Sequence, residues 1–111
     1  MTPTVTSESV PQFLYQFLPG PRPELFHDAS AWTDGDEAVA FDHFNYLKQA
    51  AEDGVVLLAG RSQDGIGPAI VILETTSQED AEQFMNADPF VSSGLFKSSI
   101  HPFRVALGLE S

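Results

Sequence analysis

The apolar positions change period along the chain, and each change marks an element. From Gln12 to Leu18, Phe13, Tyr15 and Phe17 alternate with Leu14, Gln16 and Leu18, which predicts a strand with apolar residues on both faces. Between Asp36 and Asp53 the period lengthens, with Ala40, Phe44, Leu47 and Ala51 on one stripe and Asp42, Asn45, Gln49 and Glu52 on the other side. That is an amphipathic helix, and Gly54 ends it. Val55 to Ala59 and Pro68 to Thr75 are short apolar runs flanking a turn region from Gly60 to Gly67, which reads as a hairpin. Ser77, with Asp80 three residues on in a capping-box arrangement, opens a second helix with the stripe Ala81, Phe84 and Met85, and Pro89 stops it. The last strand spans about Leu95 to Leu107. Its apolar parity shifts between Ile100 and Phe103, which predicts a bulge near His101-Pro102.

The element order βαββαβ predicts an α+β domain with a ferredoxin-like antiparallel sheet, strands side by side as 4-1-3-2 and both helices on one face. Residues 1–11, rich in Thr, Ser and Pro, read as a loose tail, and residues 12–108 as the domain. Two helices cover one face only, yet Val55 to Ala59 and Ile70 to Leu73 do not alternate as a sheet with one wet face should. A second copy of the same sheet is the simplest cover for the other face, so a homodimer is expected. The stretch from Pro19 to Asp36 carries three prolines and two glycines together with Phe26, His27 and Trp32. A loop of that length in a small domain is usually functional or disordered, and its aromatics favour function.

Composition narrows the partners. A formal net charge of -11, with only Arg22, Lys48, Arg61, Lys97 and Arg104 as cations, repels phosphate backbones and anionic lipid heads. No nucleic acid and no membrane partner is expected, and with no basic n-region followed by an apolar run at the start, the expected location is cytoplasmic. The absence of cysteine removes thiol nucleophiles and thiolate metal sites, and His27, His43 and His101 do not stand at helical metal-ligand spacing. Neither a metal nor an organic cofactor is called for, and a small-molecule ligand is the expected partner.

Two titratable residues fall on inward-facing margins. His43 precedes Leu47 by four positions on the first helix, and Asp88 follows Phe84 by four at the end of the second. Antiparallel helices bring them to one end of the sheet, the end from which the 19–36 loop departs and where the turn with Arg61 lies. A histidine held by a carboxylate is a standard general acid/base arrangement. The same spacing also suits a hydrogen-bonded core histidine and an aspartate that only forms a turn before proline. Phe26, His27, Trp32 and Arg61 are the candidate substrate-binding residues, with a loop aromatic tucked on the core and a solvated arginine as the plain alternatives. His101 reads as structural.

The segments His43-Phe-Asn-Tyr-Leu47, Asp53-Gly-Val-Val-Leu-Leu-Ala-Gly60, Ser77-Gln-Glu-Asp-Ala81, Ala87-Asp-Pro-Phe90, Gly94-Leu95 and Ile100-His-Pro-Phe103 together resemble the YCII-related family. The resemblance implies a dimeric α/β-barrel formed by two ferredoxin-like sheets, and an active-site His and Asp pair that falls on His43 and Asp88. It also implies a lyase or isomerase type of chemistry, since one branch of the family resembles dehydrochlorinases of chlorinated hydroxyquinols. The chain departs from the family pattern in its longer aromatic loop and in having Val39 and Ala40 where an arginine often precedes the histidine. The other expectation is a non-catalytic dimeric binding or accessory module whose pocket holds a ligand without turnover.

Overall fold

The structure, a computed structural model, describes residues 10–108. Of the tail expected over residues 1–11, all but Val10 and Pro11 lies outside the described residues. Strand β1 (Gln12–Pro19) is followed by two single turns of 3-10 helix (Pro23–Phe26 and Ala29–Ala31) and helix α1 (Asp34–Glu52). Then come β2 (Val56–Arg61), β3 (Ala69–Glu74), helix α2 (Gln78–Ala87), a one-turn helix α3 (Pro89–Ser92) and β4 (Phe96–Phe103). The sheet is antiparallel with the order β2-β3-β1-β4, so the ferredoxin-like arrangement read from the sequence is the observed one. No helix among the described residues is long and apolar enough to cross a membrane.

Alternation sorts β1 and β3 cleanly. Phe13, Tyr15 and Phe17 oppose Leu73, Val71 and their neighbours on the helix side, and with Leu47, Ala50, Ala81, Met85 and Phe96 they form the core. Leu14, Leu18, Ile70 and Ile72 share the other face, so β3 is apolar on both sides, as a run without alternation requires. Strand β2 is apolar for a different reason. The register slips between Val56 and Leu58, so that Val56 opposes Leu73, Leu58 opposes Ile72 and Arg61 opposes Ala69. Strict alternation from Val56 would send Arg61 to the face away from the helices; the slip returns it to the helix side.

Three local expectations are corrected. Strand β4 pairs with β1 without interruption from Phe96↔Pro19 to Phe103↔Gln12, so there is no bulge at His101-Pro102. Pro102 is tolerated because β4 is an edge strand, and the apparent parity shift arises because Phe103 turns to the open face and the chain leaves the sheet after it. The buried stripe of α1 is Asp36, Leu47 and Ala50 with His43 half-buried, whereas Phe44 is 61% exposed and Ala51 is exposed. Polar pins set this rotation: Asp36 is gripped at the first turn, His43 is held by Asp88, and Tyr46 Oη donates to the Phe84 carbonyl at 2.7 Å. Hydrophobic periodicity carries no information on such pins. Finally, the reciprocal capping box sits at Thr33 and Asp36 of α1, while Ser77 caps α2 on its own, accepting from the Asp80 N–H at 3.1 Å. Helix α1 ends as expected at Gly54, whose φ of 82° lets Gly54 and Val55 return N–H groups to Ala51 and Ala50.

Candidate functional site

Asp88 occupies the junction of α2 and α3, where Pro89 forces its backbone to be extended. It closes α2 and caps α3, and its side chain is fully buried. Three donors converge on it: His43 Nδ1 at 2.7 Å and the Phe90 N–H at 3.0 Å on Oδ1, and Tyr15 Oη at 2.8 Å on Oδ2. A carboxylate stripped of water needs this compensation. With Asp88 accepting, Nδ1 of His43 carries the hydrogen, and in the neutral imidazole the lone pair of Nε2 is free. Nε2 has no hydrogen-bond partner among the described residues, and it is not sealed from solvent, because no buried side-chain nitrogen or oxygen among them lacks a partner. The imidazole plane is fixed as well. Phe90 stacks on it at 3.9 Å between centroids and 17° between planes, and Phe17 meets it edge-on at 5.5 Å.

His43 forms part of the wall of a cleft of about 650 Å³, within the range usual for small-molecule sites. Phe17, Phe26, Trp32, Phe90 and Phe96 give it an aromatic wall, and His27 and Arg61 also line it. The 19–36 loop that brings Phe26, His27 and Trp32 there is a built structure. Arg22 clamps it with hydrogen bonds of 3.0 and 2.7 Å to the two oxygens of Asp36 and one of 3.0 Å to the Ala31 carbonyl, and Trp32 Nε1 donates to the Leu25 carbonyl at 3.0 Å. The Arg22 guanidinium holds the Asp36 carboxyl well below the usual carboxylate range, helped by the N–H of Thr33. Across the cleft, Gly65 of the β2–β3 turn has a φ of 75°, and a Cβ there would lie 3.0 Å from Cβ of His27, so glycine lets the two walls meet.

Charge in the cleft is unevenly committed. Asp64 is held low by the N–H groups of Gly67 and Ile66, and Asp28 by the hydroxyl and N–H of Ser30, so both acids are occupied in their own turns. Arg61 has no ion pair among the described residues, whereas Arg22 is paired with Asp36 and Lys48 with Glu52. No three of the His, Asp or Glu side chains among the described residues stand together as metal ligands. His101 is remote from all this, on the open face opposite Leu14, where Nε2 lies 3.2 Å from Ser99 Oγ.

His43, Phe26, His27, Trp32 and Arg61 thus line one cleft, with Asp88 directly behind His43. Sequence reasoning missed Tyr15 and Phe90. Tyr15 sits between Phe13 and Phe17 on the core face, and a hydroxyl at such a position must find a buried partner; that signal was available. The stacking of Phe90 depends on the turn that α3 adds after Pro89, which no periodicity reveals.

No curated protein matches the sequence. The YCII-related domain matches residues 23–104, leaving β1 outside the matched span. Among solved structures the chain is similar to 5-chloro-2-hydroxyhydroquinone dehydrochlorinase from Burkholderia phenoliruptrix AC1100, in complex with 2,5-dihydroxybenzoquinone. The two share 19% sequence identity, the match covers 84% of this chain and 93% of that chain, and the TM-score is 0.61. At that identity the likeness concerns the fold.

Proposed function

This chain belongs to the YCII-related family, and on that premise we propose that it is a small-molecule enzyme of the lyase or isomerase kind in which His43 moves a proton and Asp88 orients it. The observation that carries the reading is the buried carboxylate bonded at 2.7 Å to Nδ1 of a histidine that lines an aromatic cleft, which leaves Nε2 without a protein partner among the described residues. A neutral imidazole in that tautomer is a base, and the carboxylate behind it stabilises the imidazolium once the proton arrives. In a lyase step Nε2 takes a proton from an acidic hydroxyl or carbon of the substrate, and the electron pair so released expels an anionic leaving group. The net change is loss of HX, with no change in the sum of oxidation levels. In an isomerase step the same proton returns to another atom.

The cleft suggests the substrate. Flat aromatic walls favour a planar ring, and the unpaired Arg61 favours an anionic oxygen on it. The related dehydrochlorinase, whose complex holds a dihydroxybenzoquinone, is consistent with that class. Phe26, His27 and Trp32 would shape the pocket around the ring. The working form would be a homodimer joined through the open face of the sheet.

The test is turnover of a panel of halogenated and non-halogenated hydroxyaromatics by the wild-type protein and by His43→Gln. Loss of a positioned acid/base group should lower kcat by about 10² to 10⁴ while ring binding, followed by Trp32 fluorescence, persists. Binding without turnover in the wild-type protein across the panel would favour the accessory-module reading. Turnover unaffected by His43→Gln would end the acid/base assignment.

A further inference from the structure

We infer that Tyr15 is a positioning residue for the His43–Asp88 pair, setting through its hydrogen bond to Asp88 the pH at which His43 gives up its proton. The inference rests on the acid/base reading of His43 and adds to it a third member that makes no contact with the cleft. Tyr15 is fully buried in β1, and its hydroxyl donates to Oδ2 of Asp88 at 2.8 Å, while Oδ1 serves His43 and the Phe90 N–H. The carboxylate therefore divides its charge between a phenol at one oxygen and an imidazole at the other. Burial, followed by the charge of Asp88, raises the Tyr15 phenol above its ordinary value, so it stays a donor wherever His43 titrates.

The sign follows from this geometry. Without the Tyr15 hydroxyl, Oδ2 is buried with no donor, and the negative charge of Asp88 is offset only at Oδ1, by His43 and the Phe90 N–H. The pair then holds its proton more tightly, whether the proton is counted on His43 or on Asp88. A base that must be neutral to act would become available only at higher pH. The other groups around His43 are unchanged by the substitution: Glu37 and Lys48 on α1, Arg61 on β2, and His27, Asp28 and Asp64 on the loops. Tyr46, part-buried and pushed up to about 12 by burial and the charge of Asp88, donates to the Phe84 carbonyl and not to the carboxylate.

The experiment is an NMR titration of the imidazole C–H resonances in wild-type protein, Tyr15→Phe and Tyr46→Phe, with His27 and His101 as internal references. Tyr15→Phe should move the His43 midpoint upward by up to roughly one pH unit, a fraction of one hydrogen bond to a charged group, because Tyr15 donates to Asp88 in both protonation states of His43. His27, His101 and every histidine of Tyr46→Phe should stay in place. A His43 midpoint unchanged in folded Tyr15→Phe, or all three histidines moving together, overturns the inference. Should Tyr15→Phe fail to fold, fluorotyrosine incorporated into Tyr46→Phe labels Tyr15 alone, since the chain has two tyrosines. Its more acidic phenol is a stronger donor, so the His43 midpoint must fall, and no fall refutes the role. Because the readout is titration and not turnover, this result stands apart from the His43→Gln test. Activity that survives His43→Gln removes the acid/base reading whatever Tyr15 does.

Discussion

If two copies of the chain pair through the open sheet face, as proposed, a charge at its centre should separate them without unfolding either. Leu14 suits the purpose because β1 is an inner strand, with Ile72 of β3 and His101 of β4 opposite it, so any partner sheet laid on this face must cover it. Four strands at about 4.8 Å spacing and six to eight residues at about 3.3 Å rise give a face of roughly 400 to 500 Å² in projection. Side-chain relief raises the accessible area toward the ~800 Å² per partner of a stable interface. Leu14→Glu removes about 1.5 to 3 kcal/mol of apolar burial per copy and adds several kcal/mol for each desolvated carboxylate. Symmetry applies both losses twice, so the total exceeds about 6 kcal/mol, or more than four decades in Kd. A dimer that persists at micromolar concentration becomes a monomer at any usable concentration. In the single chain Leu14 is only half-buried, so melting should change little. Sedimentation velocity of wild-type and Leu14→Glu protein gives the answer, with Phe44→Ser on α1 as a control off the sheet face. Wild-type protein sedimenting as a 12.1 kDa monomer throughout the micromolar range, or Leu14→Glu protein remaining dimeric, would refute the reasoning.

The other expectations are briefer. Asp88→Asn leaves His43 without an anion to stabilise its protonated form, so its rate loss should resemble that of His43→Gln, and the double variant should be no slower than the worse single one, as a kinetic double-mutant cycle will show. Arg22→Gln should lower the melting temperature at neutral pH. Because Asp36 titrates below its ordinary value in the folded chain, its contribution is present above about pH 4 and is lost as pH falls, so the two melting curves should converge in acid. Trp32 is the chain's single tryptophan and lines the cleft, so its emission should shift when a hydroxyaromatic binds; emission that stays fixed while calorimetry records binding would place the ligand elsewhere.

How much could be read before the structure depended on whether a feature was carried by period or by pinning. Element order, strand order and the doubly apolar β3 follow from periodicity and connection rules, because burial of apolar area dominates the drive to fold and a strand alternates with period two. The convergence of His43 and Asp88 followed too, since antiparallel helices on one face fix which ends meet. What escaped was set by single polar contacts. The α1 stripe is rotated away from its best hydrophobic reading, leaving Phe44 exposed, because Asp36, His43 and Tyr46 each hold a partner on another element. The slip at Leu57 escaped for a related reason: Val56, Leu57 and Leu58 are nearly interchangeable to a pattern, and only pairing with Leu73 and Ile72 shows where the parity breaks. Its consequence lies four residues on, where it turns Arg61 toward the cleft. The same residues paired without the slip would place Arg61 on the open face, away from His43. Two single-residue deletions check what aims the arginine. Removing Leu57 takes out the extra residue itself, so Val56 and Leu58 keep Leu73 and Ile72 as partners and Arg61 stays opposite Ala69. Removing Gly60, beyond the slip, moves Arg61 into the place opposite Ile70 on the open face. An anionic hydroxyaromatic should then bind the first variant as tightly as the wild-type protein. It should bind the second more weakly, by at least the tenfold that one lost charge-assisted hydrogen bond implies. A neutral ring should bind both as before, and equal weakening of both ligands in the Gly60 deletion would show that β2 supports the wall of the cleft and not its charge.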